Sequence, residues 1–283
     1  MLSYRHAFHA GNHADVLKHA VLSEVLSSFR RKDKPFIYLD THAGGGRYDL
    51  QGAWAQKTAE AKQGIARLWQ QKNAWPELAD YFSCLQQHNP SGQLRHYPGS
   101  PEIARQLLRP QDRLQLLELH GNEFERLQQQ VGRDKRVQLQ QRDGFSGLPS
   151  LLPPTPRRGL VLIDPSYEQD SDYQQVVKSV EQGFRRWATG TYLIWYPLLG
   201  RHAQGSATLL RQLARGPYPD LLRVELQVEA AHPETGLYGS GLVLINTPWQ
   251  LDEYLRKLLP RLSQALAQDA GADWRVEWLR EPQ

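Results

Sequence analysis

One cysteine, Cys84, and one methionine at the first position supply all the sulfur of this 283-residue chain. A lone thiol excludes an internal disulfide framework and suits a reducing compartment. No stretch approaches the roughly 20 apolar residues that span a bilayer. The start, Met1-Leu2-Ser3-Tyr4-Arg5-His6, is without the apolar centre of a signal peptide, so the expected location is the cytoplasm and the expected state a monomer. No G-x-S-x-G elbow occurs, which argues against a Ser-His-Asp hydrolase. The full G-x-G-x-x-G spacing of dinucleotide binders is also missing. Charge of neither sign dominates: 34 Lys and Arg face 30 Asp and Glu, for a net charge of +4. That balance permits a polyanionic partner without requiring one.

What is present is apolar and aromatic enough to exclude disorder, at 40% hydrophobic residues. The cations are clumped, as Arg30, Arg31, Lys32 and Lys34, as Arg133, Lys135 and Arg136, and as the pairs Arg157-Arg158 and Arg185-Arg186. Each clump alone reads as a solvated loop or helix end, and only convergence on one face would make a binding surface of them.

Helical and strand patterns alternate along the chain. Asn12 is placed to cap a helix carrying Ala14, Leu17, Val21 and Val25 at helical spacing. A short apolar strand, residues 36–40, ends on Asp40 and passes into the flexible turn Thr41-His42-Ala43-Gly44-Gly45-Gly46. Residues 50–97 turn polar and helical, with a break at Asn73-Ala74-Trp75-Pro76 that predicts a helical hairpin. Ser100 then reads as a helix cap with Pro101 in the first turn. Strands follow at residues 114–118, 137–140, 160–163 and 191–196, with helices near 124–131, 173–187 and 207–214. Residues 149–159, rich in proline, read as a linker. Two strands, 223–228 and 241–246, form an expected hairpin with one antiparallel member, and a last helix runs from about 251 to 268. The pattern predicts an α/β fold, a mostly parallel sheet with helices on both faces. Residues 1–49 and 98–283 form the main domain in this reading, and 50–97 an inserted helical subdomain.

In open α/β sheets ligands bind beyond the carboxyl ends of the strands. Those ends carry Asp40 with the glycine turn, Glu118, Asp143-Gly144, and Asp164-Pro165-Ser166-Tyr167. With residues 50–97 set aside, Glu118 falls roughly 20 positions past the glycines, where an acid holds ribose hydroxyls. Asp143 can accept from an adenine amine, Gly144 leaves room for the ring, and the helix start at Ser100 offers backbone donors to a carboxylate. This set fits an S-adenosylmethionine pocket better than a dinucleotide pocket, because that cofactor has no pyrophosphate to cradle. The last tetrapeptide suits methyl transfer to an exocyclic base amine. The Asp164 carboxylate and the Pro165 carbonyl can accept the two N6 hydrogens, and Tyr167 can stack on the base. An Asp-Pro-x-Tyr turn of ordinary kind is the plainer alternative. His6, His9, His13, His19 and His42 invite a metal, yet none forms an i, i+4 pair on one helix face, so no metal is expected.

Four stretches resemble the RlmJ family of 23S ribosomal RNA adenine-N6 methyltransferases. They are residues 2–19 (Leu2-Ser3-Tyr4-Arg5-His6 through Gly11-Asn12-His13-Ala14-Asp15-Val16-Leu17-Lys18-His19), residues 38–48, Tyr97-Pro98-Gly99-Ser100-Pro101, and Leu162-Ile163-Asp164-Pro165. The resemblance implies a Rossmann-like methyltransferase fold with a helical insertion after the first core strand. It implies a cofactor site of His19, His42, Ser100, Glu118, Asp143, Gly144 and Asp164, with Asp164, Pro165 and Tyr167 catalytic. Tyr4, His6, Lys18 and Tyr167 would meet the substrate adenosine, and the partner would be 23S ribosomal RNA, naked or in an assembling subunit. The chain departs from the family's Asp-Pro-Pro-Tyr at Ser166. Action on DNA adenine, or a role in use of external DNA, stands as an alternative. A nicotinamide-dependent oxidoreductase and a non-catalytic nucleic-acid-binding module are the more distant ones.

Overall fold

Leu160, Val161, Leu162 and Ile163 are each fully buried, at 0% exposure, which demands cover on both faces of their strand. The computed structural model, which describes residues 6–200 and 203–282, supplies that cover with helices on either side of an eight-stranded sheet. In chain order the elements are α1 (His13–Arg30), β1 (Ile37–Asp40), β2 (Arg47–Asp49), α2 (Ala53–Thr58), α3 (Ile65–Trp69), α4 (Ala79–His88), β3 (His96–Pro98), α5 (Ser100–Leu107), β4 (Arg113–Glu118), α6 (Gly121–Val131), β5 (Val137–Gln141), α7 (Gly144–Leu151), β6 (Gly159–Ile163), α8 (Asp170–Arg186), β7 (Thr191–Leu199), α9 (Ala203–Ala214), β8 (Leu221–Gln227), β9 (Leu237–Ile245), α10 (Leu251–Leu266) and β10 (Asp273–Arg280).

The sheet order is β10-β8-β9-β7-β6-β1-β4-β5. Strands β5, β4, β1, β6 and β7 are mutually parallel. Strand β9 opposes both β7 and β8, and β10 opposes β8. Two strands therefore run against the parallel set, where the sequence pattern points to one. The second is β10, whose alternating Asp273-Trp274-Arg275-Val276-Glu277-Trp278 has the two-residue period of an edge strand.

That same period divides the core. Leu160 and Leu162 pack with α1, α5 and α10, whereas Val161 and Ile163 pack with α7, α8 and α9. Helix α1 starts as expected, the Asn12 side chain accepting from the Asp15 amide at 3.0 Å. The proline-rich linker is shorter than expected, because Pro149 lies inside α7 and Asp143 caps that helix. The segment after the glycine turn is more broken than a hairpin, with 3-10 turns at Lys72–Ala74 and Pro76–Leu78 between α3 and α4. A two-stranded ribbon closes it, β2 pairing antiparallel with β3 through Tyr48 and Tyr97. Ile65, Leu68, Tyr81 and Leu85 of this segment join the apolar cluster that covers the sheet. No helix among the described residues is long and apolar enough to cross a membrane.

At the centre of the sheet, a Cβ on Gly159 would stand 2.0 Å from the Ile37 carbonyl oxygen of β1. Gly159→Ala must therefore wedge β1 from β6, the two strands that carry the cavity floor. The expected loss is about 1–3 kcal/mol or more, read as a lowered urea midpoint.

Candidate active site

A cavity of about 410 Å³ opens at the carboxyl ends of β1, β4, β5, β6 and β7, inside the roughly 300–1,000 Å³ range of small-molecule sites. Every described residue that the sequence marks for the site reaches it: His6, Lys18, His19, His42, Ser100, Glu118, Asp143, Gly144, Asp164, Pro165 and Tyr167. Tyr4 lies outside the described residues.

One half of the cavity is built from backbone amides and acids. Gly44, held at φ +63°, directs its amide to Glu118 Oε2 at 2.7 Å, and the His120 amide meets Oε1 at the same distance. Burial outweighs these two donors, so the Glu118 carboxyl sits above its ordinary pKa. Asp143 is more open; burial opposes its charge, but donors from Ser146 and Phe145 bring its pKa down. Gly144 lines the cavity and also serves packing, because a Cβ there would lie 2.0 Å from the Thr41 carbonyl oxygen. Burial lowers the His42 pKa to about 4, leaving a neutral ring that meets Phe145 edge-on at 4.8 Å between centroids.

Ser100 is not the cap of α5, a position held by Gly99 without any side-chain bond. Its hydroxyl instead donates to Asp40 Oδ2 at 2.7 Å. The same oxygen accepts from the Tyr38 hydroxyl at 2.6 Å, and the His42 amide reaches Oδ1 at 3.2 Å. Asp40 thus ties β1 to the start of α5 below the cavity. Burial lifts its pKa to about 6 against these donors.

The other half is organised by α1. Lys18 Nζ lies 2.6 Å from Asp164 Oδ2 and 2.9 Å from Asp15 Oδ1. Burial disfavours the ammonium, but the two carboxylates hold its pKa above the ordinary lysine value. Asp15 Oδ2 accepts from the Gly11 amide at 2.9 Å and pairs with His6 Nε2 at 2.9 Å. Although burial opposes it, His6 and Lys18 keep this carboxyl well below its usual pKa. His19 meets the Tyr97 hydroxyl at 2.7 Å through Nδ1, while its buried Nε2 makes no hydrogen bond and stands 4.0 Å from Asp15 Oδ1. Tyr167 takes φ +52°, and its hydroxyl donates to the Trp195 carbonyl at 2.6 Å. The Tyr167 ring is only 8% exposed, packed 4.5 Å from the Tyr173 ring. Asp15 and Trp195 line the cavity too and are absent from the sequence-derived set. Their signals were an acid three residues before Lys18 on one helix and an aromatic in β7 one residue past its pairing with the end of β6.

A mostly parallel sheet of this order, a glycine turn after β1, an acid closing β4 and an Asp-Pro-x-Tyr turn after β6 define a Rossmann-like S-adenosylmethionine-dependent methyltransferase. Comparison with known proteins narrows the class. The chain belongs to the family described as ribosomal RNA large subunit methyltransferase D, RlmJ, whose model matches residues 33–280. It is 47% identical over 279 residues to ribosomal RNA large subunit methyltransferase J of Escherichia coli, covering 99% of each chain. The Haemophilus influenzae protein of the same name is 45% identical over 280 residues, again with 99% of each covered. A crystal structure of a Legionella pneumophila protein superposes with a TM-score of 0.88 at 36% identity, over 95% of this chain and 98% of that one.

Because the Asp40 pKa is raised from 3.8 to about 6 in the folded state, the native protein binds this proton more tightly than the unfolded chain. The stability it contributes is full below about pH 4 and disappears as pH rises through 6. In urea titrations from pH 4 to 7, Asp40→Asn should remove about 3 kcal/mol of this downward slope. Identical slopes in the two proteins would refute the assignment.

Proposed function

We propose that this chain transfers a methyl group from S-adenosylmethionine to the N6 amine of an adenine in 23S ribosomal RNA, acting as a cytoplasmic monomer. The observation that carries this reading is the Asp164-Pro165-Ser166-Tyr167 turn, opening on the same cavity as Glu118 and Asp143. The family membership and the printed names of the Escherichia coli and Haemophilus influenzae relatives support the ribosomal RNA substrate.

The cavity fits the cofactor chemically. Glu118 keeps acceptor capacity for ribose hydroxyls beyond its two amide donors, and Asp143 can accept from an adenine amine. Leu119, 48% exposed and on the cavity wall, offers an apolar face. His19, whose Nε2 makes no hydrogen bond, completes the set with His42, Ser100 and Gly144. When bound, the cofactor supplies an electrophilic methyl carbon on a sulfonium. We assign residues 1–49 and 98–283 to the catalytic domain and residues 50–97 to an inserted subdomain.

On the acceptor side, Lys18 occupies Asp164 Oδ2, which leaves Oδ1 to accept one N6 hydrogen while the Pro165 carbonyl accepts the other. These acceptors draw the N6 lone pair out of the ring. So held, N6 would present its lone pair to the methyl group that the cofactor supplies, and its surplus proton would leave to water. The Lys18 ammonium fixes the carboxylate of Asp164 at 2.6 Å, in keeping with a role in orienting the amine. Tyr167, fixed by its hydroxyl bond, provides the stacking surface, a contact worth roughly 1–3 kcal/mol per base. His6 and Lys18 shape the adenosine pocket. An adenine inside a duplex hides N6, so the target base is extruded or already unpaired, at a cost of a few kcal/mol that is least for unpaired sites.

Asp164→Ala should abolish methylation while calorimetry shows S-adenosylmethionine binding largely retained; wild-type turnover would remove the carboxylate from the mechanism. Ser166→Pro restores the family's second proline and fixes φ, so methylation should be equal or faster, and a large loss would show that this loop is adapted to serine. Mass mapping of methylated adenines in ribosomal RNA with and without the enzyme tests the proposal as a whole.

A further inference from the structure

The basic clumps noted in the sequence converge on the end of the sheet opposite the cavity. The starts of β1, β4, β5 and β6 meet there: the Ile37 amide donates to the Arg158 carbonyl, that of Arg113 to Phe36, and that of Leu114 to Arg136. The Arg158 guanidinium donates to the carbonyls of Lys34 and Phe29, at 3.0 and 2.7 Å. Arg109 binds the carbonyls of Lys32 and Lys34 at 3.0 and 2.9 Å. The end of α8 joins this edge where the Trp187 indole reaches the Arg157 carbonyl at 3.4 Å. Arg158 spends its charge on backbone carbonyls, Arg109 also pairs with Asp112 at 2.9 Å and Asp33 at 3.6 Å, and both hold the loops in place.

The outer cations are not spent. Lys32, Lys34, Arg133, Lys135, Arg157, Arg185 and Arg186 are exposed and form no ion pair among the described residues. Within these segments Asp33 is the one fully exposed acid. Seven unpaired cations at one edge exceed the net charge of +4 for the whole chain, so the rest of the molecule is net negative. The cavity agrees, with Lys18 as the single Lys or Arg among its described lining residues, amid several acids. A cleft of about 150 Å³, lined by Arg113, Lys135, Arg136 and Thr155, indents the same edge. Like charges gathered this way repel one another unless a polyanion meets them.

We infer that this basal edge is a second RNA-docking surface, which grips the phosphate backbone of a segment remote from the target adenine. This rests on the ribosomal RNA reading of the cavity and adds to it a binding contribution from RNA beyond the target hairpin. A five-residue strand such as β6 alone separates the two ends by roughly 17 Å. A short hairpin presented to the cavity does not reach the base, whereas a folded RNA domain with helices on two sides of the enzyme does.

The test compares the wild type with the triple variant Lys34→Glu, Arg157→Glu, Arg186→Glu on two RNAs, a short hairpin carrying the target adenine and the full folded domain around it. On the domain, KM should rise about tenfold or more with kcat unchanged, and the dependence of log KM on log salt should flatten by roughly two to three. On the hairpin both constants should stay at wild-type values, which also shows that the variant is folded. An unchanged KM on the domain, or equal losses on both RNAs, overturns the inference. Should the wild type methylate neither RNA, the methyl-transfer reading falls. Fluorescence anisotropy with the domain then decides the base alone: a tenfold affinity loss in the variant supports it and equal affinities overturn it.

Discussion

Lys18 joins two parts of the chain 146 residues apart, and the cavity depends on that junction. Its ammonium is almost out of water, with a side chain 5% exposed, and a charge there is tolerable only because Asp15 and Asp164 both contact it. Removing one partner of a buried pair typically costs about 3–5 kcal/mol, since the other charge is then stranded. The pair therefore fixes where the first turn of α1 sits relative to the end of β6. It also fixes which Asp164 oxygen faces the cavity. Asp15 extends the constraint outward, because its second oxygen holds the Gly11 amide and His6, so the approach to α1 is shaped by the same charge balance.

The acids at the strand ends show how environment sets the state of one functional group. Asp15, fully enclosed, stays ionised because His6 and Lys18 sit against it, whereas Asp40, equally enclosed, has neutral donors and the nearby Asp164 charge, and burial pushes it toward protonation. Glu118 lies between these cases, gripping the glycine turn through Oε2 and the His120 amide through Oε1. A carboxylate that positions a loop in this way also sets the distance at which that loop can approach a ligand. Helices packed on both faces make the frame stiff enough for such distances to matter.

Much of this was legible from residues alone. The continuous run Leu160 to Ile163 announced a strand buried on both faces, and the acids at successive strand ends announced the cavity, because a parallel sheet must collect those ends on one side. What escaped notice had specific causes. Pro149 looked like a breaker, although α7 accommodates it. Strands β2 and β3 have three residues each, too few to show a period. Gly144 and Ser100 were rightly placed at the cavity, yet their immediate partners, the Thr41 carbonyl and Asp40, come from distant sequence and leave no local trace. The importance of Asp15 was hidden for the same reason, because its helical position is ordinary until Lys18 and Asp164 are seen together.

Strand β10 has a consequence for solubility. It covers β8, whose sequence Leu221-Leu222-Arg223-Val224-Glu225-Leu226 is largely buried and would otherwise present an open ladder of amides and carbonyls. The outermost strand instead carries Asp273, Arg275, Glu277 and Arg280, and charged edges resist pairing with another chain. The last strand thus works as a guard at this edge of the sheet, disfavouring strand-to-strand pairing with another chain.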